Sequence, residues 1–197
     1  MFDSFIDRKL NIDTSGQDYS RKGLFNFGYD PTTYKALRKL ADSGFVGEDD
    51  VLLDYGCGKG RVCFYLALKT RCRCIGIDSN ENLLNTARIN FDRAGRPEGV
   101  SFVLSDAGDY EIKDATCAYF FNPFSKEVFI KVLRRMDEYG KPLKLFLYYP
   151  SPEFKEILGK RENTRLIREI DCRDLQRNSP LLSRILVYEI NNGPPED

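Results

Sequence analysis

From residue 31 onward, the chain alternates short apolar runs with longer segments in which apolar residues recur every three or four positions. The short runs are typical of buried strands, and the longer segments are typical of helices with one buried face. The predicted strands cover 51–55, 72–78, 100–106, 115–124, 143–149, 164–170 and 183–190. The predicted helices cover 31–45, 61–70, 80–95, 125–140 and 151–159. This order predicts a mostly parallel sheet with helices on both faces and an antiparallel pair of strands at its end.

Turn and cap residues mark where several of these elements begin and end. Pro31 is suited to the first turn of the first helix, and Ser125 is a predicted N-cap followed, past the end of its helix, by Gly140. Residues 1–30 are polar and irregular in pattern, so we expect an N-terminal arm or cap rather than a separate domain. The predicted domain covers 31–190, and 191–197 form a frayed tail.

Length and composition limit the possible classes of protein. The 197 residues suffice for one α/β domain, and 42% hydrophobic with 30% charged residues predicts a folded chain. A formal net charge of zero gives no general argument for nucleic acid or an anionic membrane as a partner. No apolar run reaches the roughly 20 residues that a membrane span needs, and the N-terminus lacks a signal-peptide pattern. We therefore expect a cytoplasmic protein without a membrane partner.

Cysteine and histidine usage narrows the chemistry further. The chain has six cysteines but no histidine, and no two cysteines form a CxxC pair. We therefore expect no metal site, because the common zinc sites that include histidine are excluded. Ser-His and Cys-His catalysis are excluded for the same reason. Reduced thiols in or near the core are the interpretation of the cysteines.

The most informative stretch is VLLDYGCGKGRV, residues 51–62, in which a strand is followed by Gly56, Gly58 and Gly60 and then by a helix. A dinucleotide loop has the spacing G-x-G-x-x-G, but here the third glycine comes one position early and Arg61 stands in its place. We expect Arg61 to obstruct the close packing that such a loop needs. The loop suits instead a phosphate-free nucleoside that carries a sulfonium amino acid, with Asp54 supplying negative charge near the cation. The alternative is an ordinary tight turn.

Two further acids end the next two predicted strands. Asp78 ends the second strand, where a carboxylate can accept hydrogen bonds from both ribose hydroxyls. Asp106 ends the third strand and can accept a hydrogen bond from an adenine amine, while the Ala107 amide can serve the ring nitrogen. Solvated aspartates at strand ends are the alternative for both.

Taken together, VLLDYGCGKGRV, CIGIDSNENLLNTAR, VLSDAGDY and AYFFNPF resemble the class I S-adenosylmethionine-dependent methyltransferases, and the resemblance covers about residues 31–190. It implies an α/β, Rossmann-like fold with a seven-stranded, mostly parallel sheet whose last strand is inserted antiparallel. It also implies S-adenosylmethionine as cofactor. The implied cofactor residues lie in the glycine loop and after the second and third strands: Asp54, Gly56, Gly58, Gly60, Asp78, Ser79, Asp106 and Ala107.

The resemblance also covers two segments on either side of the cofactor. In GYDPT, Tyr29 and Thr32 match a position that can close over the methionine carboxylate, although packing by Tyr29 and helix capping by Thr32 are equally compatible with the sequence. FFNPF, residues 120–124, is similar to the N/D-P-P-Y/F motif of methylases that act on amines, with one proline missing. Asn122 would lie beside the cofactor and position the acceptor, or it would be an ordinary turn residue.

The sequence thus predicts methyl transfer from S-adenosylmethionine to a nitrogen or oxygen of a small molecule or a protein side chain. A non-catalytic S-adenosylmethionine-binding module or partner subunit remains an alternative. A NAD-dependent oxidoreductase fits less well, because the third glycine is shifted. Residues 160–184 are weakly basic and lack interleaved aromatic residues, so no nucleic-acid partner is evident. The oligomeric state and the acceptor are left open.

Overall fold

The computed structural model describes residues 2–17, 28–121, 124–172 and 183–192. The helices of this part of the chain are α1 (Phe2–Leu10), α2 (Tyr34–Asp42), α3 (Arg61–Thr70), α4 (Glu81–Arg93), α5 (Lys126–Tyr139) and α6 (Pro152–Gly159). The strands are β1 (Val51–Tyr55), β2 (Arg73–Asp78), β3 (Val100–Leu104), β4 (Cys117–Phe120), β5 (Leu143–Tyr148), β6 (Thr164–Asp171) and β7 (Arg184–Ile190). No helix among these residues is long and apolar enough to cross a membrane.

The seven strands form one sheet in the order β3-β2-β1-β4-β5-β7-β6. The first five are parallel, and β7 lies between β5 and β6 and is antiparallel to both. This confirms the predicted fold class, including the inserted antiparallel last strand. In the register of the sheet, Asp54 lies opposite Gly76 on one side and Tyr119 on the other. The carboxyl ends of β1, β2 and β4 therefore meet at one edge, where ligands bind in open α/β sheets.

Apolar side chains pack on both faces of the sheet, because its central strands are buried on both sides. On one face the core includes Tyr34, Leu37 and Leu40 of α2. On the other face Phe129 of α5 is fully buried and stacks on Phe154 of α6, with 3.8 Å between the ring centroids. Burial of one such ring stabilises the fold by about 1.5–3 kcal/mol.

Three local expectations about the elements were wrong. Residues 2–10 form a helix rather than an irregular arm. Helix α2 begins at Tyr34 and is capped by the Thr33 side chain, which accepts from the Ala36 amide, so Pro31 lies outside its first turn. Strand β4 ends at Phe120 rather than at residue 124. The expectation for α5 was right in position, because Ser125 is its N-cap residue, although the serine side chain makes no capping bond.

Candidate functional site

The glycine loop after β1 is a tight turn pinned to the end of β2. The amides of Gly56 and Cys57 both donate to the Ile77 carbonyl, at 2.8 and 3.1 Å. Gly56, Gly58 and Gly60 have φ values of +77°, +54° and +87°, in the left-handed region that side chains disfavour. The turn holds Gly56 exposed at the edge of the sheet, where the backbone is open to a ligand.

Gly60 permits the close packing that a third glycine provides in related loops. A Cβ atom added there would lie 2.7 Å from the Phe102 ring of β3 and 2.9 Å from the Phe64 ring of α3. The expectation that Arg61 obstructs close packing of helix on strand was therefore wrong, because Gly60 provides it one position earlier. The Arg61 side chain is buried against the N-terminal segment instead.

Gly58 is covered by the ring of Tyr29. A Cβ atom at Gly58 would lie 2.3 Å from that ring, so only glycine allows the contact. The Tyr29 hydroxyl donates to the Thr14 carbonyl at 2.7 Å, and the ammonium of Lys59 lies 5.3 Å from the ring centroid. Tyr29 thus packs on the loop, in agreement with the packing alternative of the sequence, and it also lines the cleft beside the loop.

Asp78 joins the glycine loop to the start of α4. Its Oδ2 accepts from the Gly58 amide and its Oδ1 from the Asn80 amide, both at 2.8 Å. The side chain is half-buried, and a carboxylate oxygen can accept more than one hydrogen bond. The exposed Ser79 lies beside it on the cleft wall.

Asp54 lies at the bottom of the cleft and is only 2% exposed. The Cys63 thiol is 3.7 Å from its Oδ2, and no lysine or arginine of the described segments forms an ion pair with it. Burial, with a smaller contribution from the charge of Asp78, raises the pKa of Asp54 to about 8. A buried carboxylate without a cationic partner favours a positively charged ligand at this position.

Asp106 follows β3 and is held in a turn of its own. Its Oδ1 accepts from the Gly108 amide at 3.0 Å, and its carbonyl accepts from the Asp109 and Tyr110 amides. Both Asp106 and Ala107 line the cleft. The ends of β1, β2 and β3 therefore present three separate carboxylates along one side of it.

The cleft has a volume of about 130 Å³ and an apolar end. Phe121, Phe124 and Val128 line that end. Asn122, the predicted acceptor-positioning residue, lies outside the described residues, so its role stays a prediction. Among the residues that are described, no three His, Cys, Asp or Glu side chains are grouped to hold a metal ion.

Thr32 lines the same wall of the cleft as Tyr29. Its hydroxyl lies 3.0 Å from the Tyr119 hydroxyl, and its carbonyl accepts from the Arg61 guanidinium at 3.1 Å. The capping alternative for Thr32 was wrong, since Thr33 is the N-cap of α2. Tyr29 and Thr32 both line the cleft next to the glycine loop, and their contact with a cofactor stays a prediction.

Sequence reasoning missed the polar residues that join α1 to the loop, namely Asp3, Asp7 and Arg61. Arg61 is 5% exposed and pairs with both acids, at 2.7 Å to Asp3 and 3.6 Å to Asp7. The spacing of Asp3 and Asp7 did indicate that both acids lie on one face of a helix, because residues four positions apart are neighbours there. Nothing local in the sequence indicated that their partner follows the glycine loop.

Comparison with known proteins adds three findings. A family model described as a methyltransferase domain matches residues 47–159. A protein-lysine N-methyltransferase of Saccharolobus islandicus (strain REY15A) is 28% identical over 94 residues, which are 47% of this chain and 58% of the relative. A norajmaline N-methyltransferase of Rauvolfia serpentina is 26% identical over 155 residues, which are 74% of this chain and 52% of the relative. The chain thus spans about half the length of these curated relatives.

A solved structure gives a further comparison. An RNA methyltransferase from Salinibacter ruber, in complex with S-adenosyl-L-homocysteine, matches with a TM-score of 0.61 and 24% sequence identity. The match covers 85% of this chain and 98% of that chain. At this identity the likeness establishes a shared fold.

Proposed function

This chain belongs to the methyltransferase domain family, and we propose that it transfers a methyl group from S-adenosylmethionine to a nitrogen or oxygen of a small molecule or a protein side chain. The observation that carries the proposal is the arrangement of three carboxylates around a glycine turn. Asp54 contributes most to it, because it is buried at the cleft floor without an ion-pair partner among the described residues.

The residues present fit this cofactor. Asp54 and Gly56 would hold its cationic methionine end, Asp78 would accept from the ribose hydroxyls, and Asp106 with the Ala107 amide would take the adenine. The carboxylates are acceptors and the ligand offers donors and a positive charge, which is the chemical basis of the fit. When bound, S-adenosylmethionine supplies an electrophilic methyl group on a sulfonium.

The chain itself would contribute mainly alignment and exclusion of water. Holding two reactants in a reactive geometry can contribute roughly 7–11 kcal/mol. The apolar end of the cleft, lined by Phe121, Phe124 and Val128, would keep water from the reacting atoms. A general base is needed only where the acceptor arrives protonated, and the chain has no histidine to supply one. We propose Asn122 as the residue that orients the acceptor.

The charge of the cleft favours a neutral or cationic acceptor such as an amine. Within the described lining, Asp30, Asp54, Asp78 and Asp106 are acidic, and Arg61 is the basic residue. Arg61 is buried and paired with the acids of α1, so it offers no charge to a phosphate. A nucleic-acid backbone is bound by accessible cations, which this part of the cleft lacks.

Calorimetric titration with S-adenosylmethionine, S-adenosylhomocysteine, NADH and ATP tests the cofactor. We expect micromolar binding of the two sulfur nucleosides, loss of it in Asp78→Ala, and no change in Asp114→Asn, whose exposed carboxylate pairs with Arg73. Preference for NADH would refute the proposal and return the loop to the dinucleotide class.

A labelled methyl donor then tests transfer to a panel of amines, lysine-containing peptides and RNA oligonucleotides. Label on an amine or a lysine supports the proposed acceptor class, and label on RNA alone contradicts it. Tight binding of the cofactor without transfer to any of them would favour the non-catalytic module.

A further inference from the structure

Arg61 is the first residue of α3 and follows the glycine loop directly. It is among the residues that line the cleft, but its guanidinium is bonded to the N-terminal segment and to the backbone of the cleft wall. Its Nε donates to the Thr14 hydroxyl at 2.7 Å, and its Nη1 donates to the Asp3 carboxylate at 2.7 Å and to the Thr32 carbonyl at 3.1 Å. The guanidinium carbon lies 4.6 Å from the Tyr34 ring centroid. One buried guanidinium therefore joins α1, the segment after it and the cleft wall.

Asn90 of α4 makes a second connection between the same segment and the loop. This side chain is fully buried, and it pairs with the Asp13 backbone by accepting from the amide at 2.9 Å and donating to the carbonyl at 3.0 Å. Its Nδ2 also donates to the Lys59 carbonyl at 3.1 Å. The N-terminal segment is thus bonded to the loop backbone itself.

Tyr29 completes the connection on the cleft side. Its hydroxyl is bonded to the Thr14 carbonyl, and its ring lies on Gly58. The wall formed by residues 28–32 is therefore fixed by Thr14, and Thr14 is fixed by Arg61 and Asp7. This arrangement places no residue of α1 among those that line the cleft.

We propose that Arg61 and Asp3 are positioning residues for the cofactor, so that the affinity of the cleft for S-adenosylmethionine depends on the ion pair between them. The inference rests on the proposed function. The pair acts by holding the wall at 28–32 against the glycine loop. Asp3 is the suitable residue to change, because it is 33% exposed and its loss leaves Arg61 with Asp7 and Thr14. Removal of Arg61 would instead leave two acids of α1 without their cation.

The test compares Asp3→Asn, Tyr29→Phe and the double variant with the wild type. Asp3→Asn keeps the shape and an oxygen that can accept from the Tyr34 amide, and Tyr29→Phe keeps the ring on Gly58. We expect S-adenosylhomocysteine to bind about 3- to 30-fold more weakly to each single variant, with non-additive effects in the double variant. Asp3→Glu, which keeps the charge, should restore most of the affinity.

Arg73→Gln is the matched control, because it breaks an exposed ion pair with Asp114 at the opposite end of β2. It should leave the affinity unchanged. Affinities equal to wild type in folded Asp3→Asn and Tyr29→Phe would overturn the inference, as would a loss that tracks only a fall in melting temperature.

Hydrogen exchange of the unliganded protein gives a readout that needs no cofactor. Peptides covering 28–32 and 56–60 should exchange faster in Asp3→Asn than in Arg73→Gln, and equal rates would overturn the inference. If the wild type fails to bind S-adenosylhomocysteine but the exchange rates rise as expected, the proposed function fails while the coupling of α1 to the loop stands.

Discussion

Replacing Asp54 by asparagine should remove a pH dependence of cofactor binding that the wild type shows. Burial raises the pKa of this carboxyl to about 8, so in the free protein at pH 7 the protonated form exceeds the ionised form by about tenfold. A cation bound beside Asp54 favours the ionised form. Binding at pH 7 therefore includes the cost of releasing that proton, which is about 1.4 kcal/mol for one pKa unit.

The direction of the pH dependence follows from whether the free protein or the complex binds the proton more tightly. The free protein binds the proton more tightly than the complex does, so affinity for S-adenosylmethionine rises as the pH rises towards the pKa of the free protein. Between pH 7 and pH 9 the ionised fraction rises from about a tenth to about nine tenths, and the affinity should rise about tenfold. Above pH 9 this contribution is constant.

The assay is calorimetric titration from pH 6 to pH 9 with wild type, Asp54→Asn and Asp114→Asn. Titration of the ligand itself is common to all three proteins, so the ratio of wild-type to Asp54→Asn affinity isolates the carboxyl. Asp114→Asn, changed at an exposed site, should follow the wild type. At pH 7, comparison of phosphate and Tris buffers should show about one more proton released by the wild type than by Asp54→Asn. An equal pH slope in both proteins would refute the placement of Asp54 beside the cation.

Three other changes test the loop, the adenine end and the core. Gly58 has φ +54°, and a Cβ atom there would lie 2.3 Å from the Tyr29 ring, so Gly58→Ala should lower the free energy of unfolding in urea by about 2–5 kcal/mol. Gly44 has φ +77° with nothing within 4 Å of an added Cβ, so Gly44→Ala should lower it by only about 1–2 kcal/mol, and equal losses would contradict the ring contact. Asp106→Ala should weaken S-adenosylhomocysteine binding by about 1.5–3 kcal/mol and should abolish discrimination against its inosine analogue, which lacks the adenine amine; persistent discrimination would contradict the assignment. Phe129→Ala, which removes a fully buried stacked ring, should cost about 3–5 kcal/mol in the same urea assay, and a loss below about 1 kcal/mol would contradict its place in the core.

The sheet could be predicted from the sequence because its strands are local patterns. Runs such as 51–55 and 143–149 are apolar and bounded by turn residues, and they appear in the structure with little change as β1 and β5. The glycine spacing and the acids at strand ends are likewise local features of the sequence. The grouping of Asp54, Asp78 and Asp106 along the cleft could therefore be expected. Topology then brings these residues together without further information.

Helix α1 could not be predicted in the same way, because its stability depends on distant polar partners. Phe2 and Phe5 are 40% and 56% exposed, and Ile6 and Leu10 are only partly buried against the core, so the apolar residues mark the buried face of the helix incompletely. The buried contacts are made by Asp7, which accepts from the Thr14 amide and hydroxyl and pairs with Arg61. Hydrophobic periodicity carries no information about such a network.

The displaced third glycine allows a connection between the glycine loop and helix α1. A glycine is needed where α3 starts against the Phe102 ring, and Gly60 meets that need. The position that follows is then free to carry a large side chain, and Arg61 pairs from there with Asp3 of α1. A loop of three glycines is flexible in isolation and would lose much of its freedom on binding a ligand. The hydrogen bond from Asn90 to the Lys59 carbonyl and the packing of the Tyr29 ring on Gly58 restrict the loop before a ligand binds. We therefore expect the N-terminal segment to lower the entropic cost of binding at a site that it does not touch.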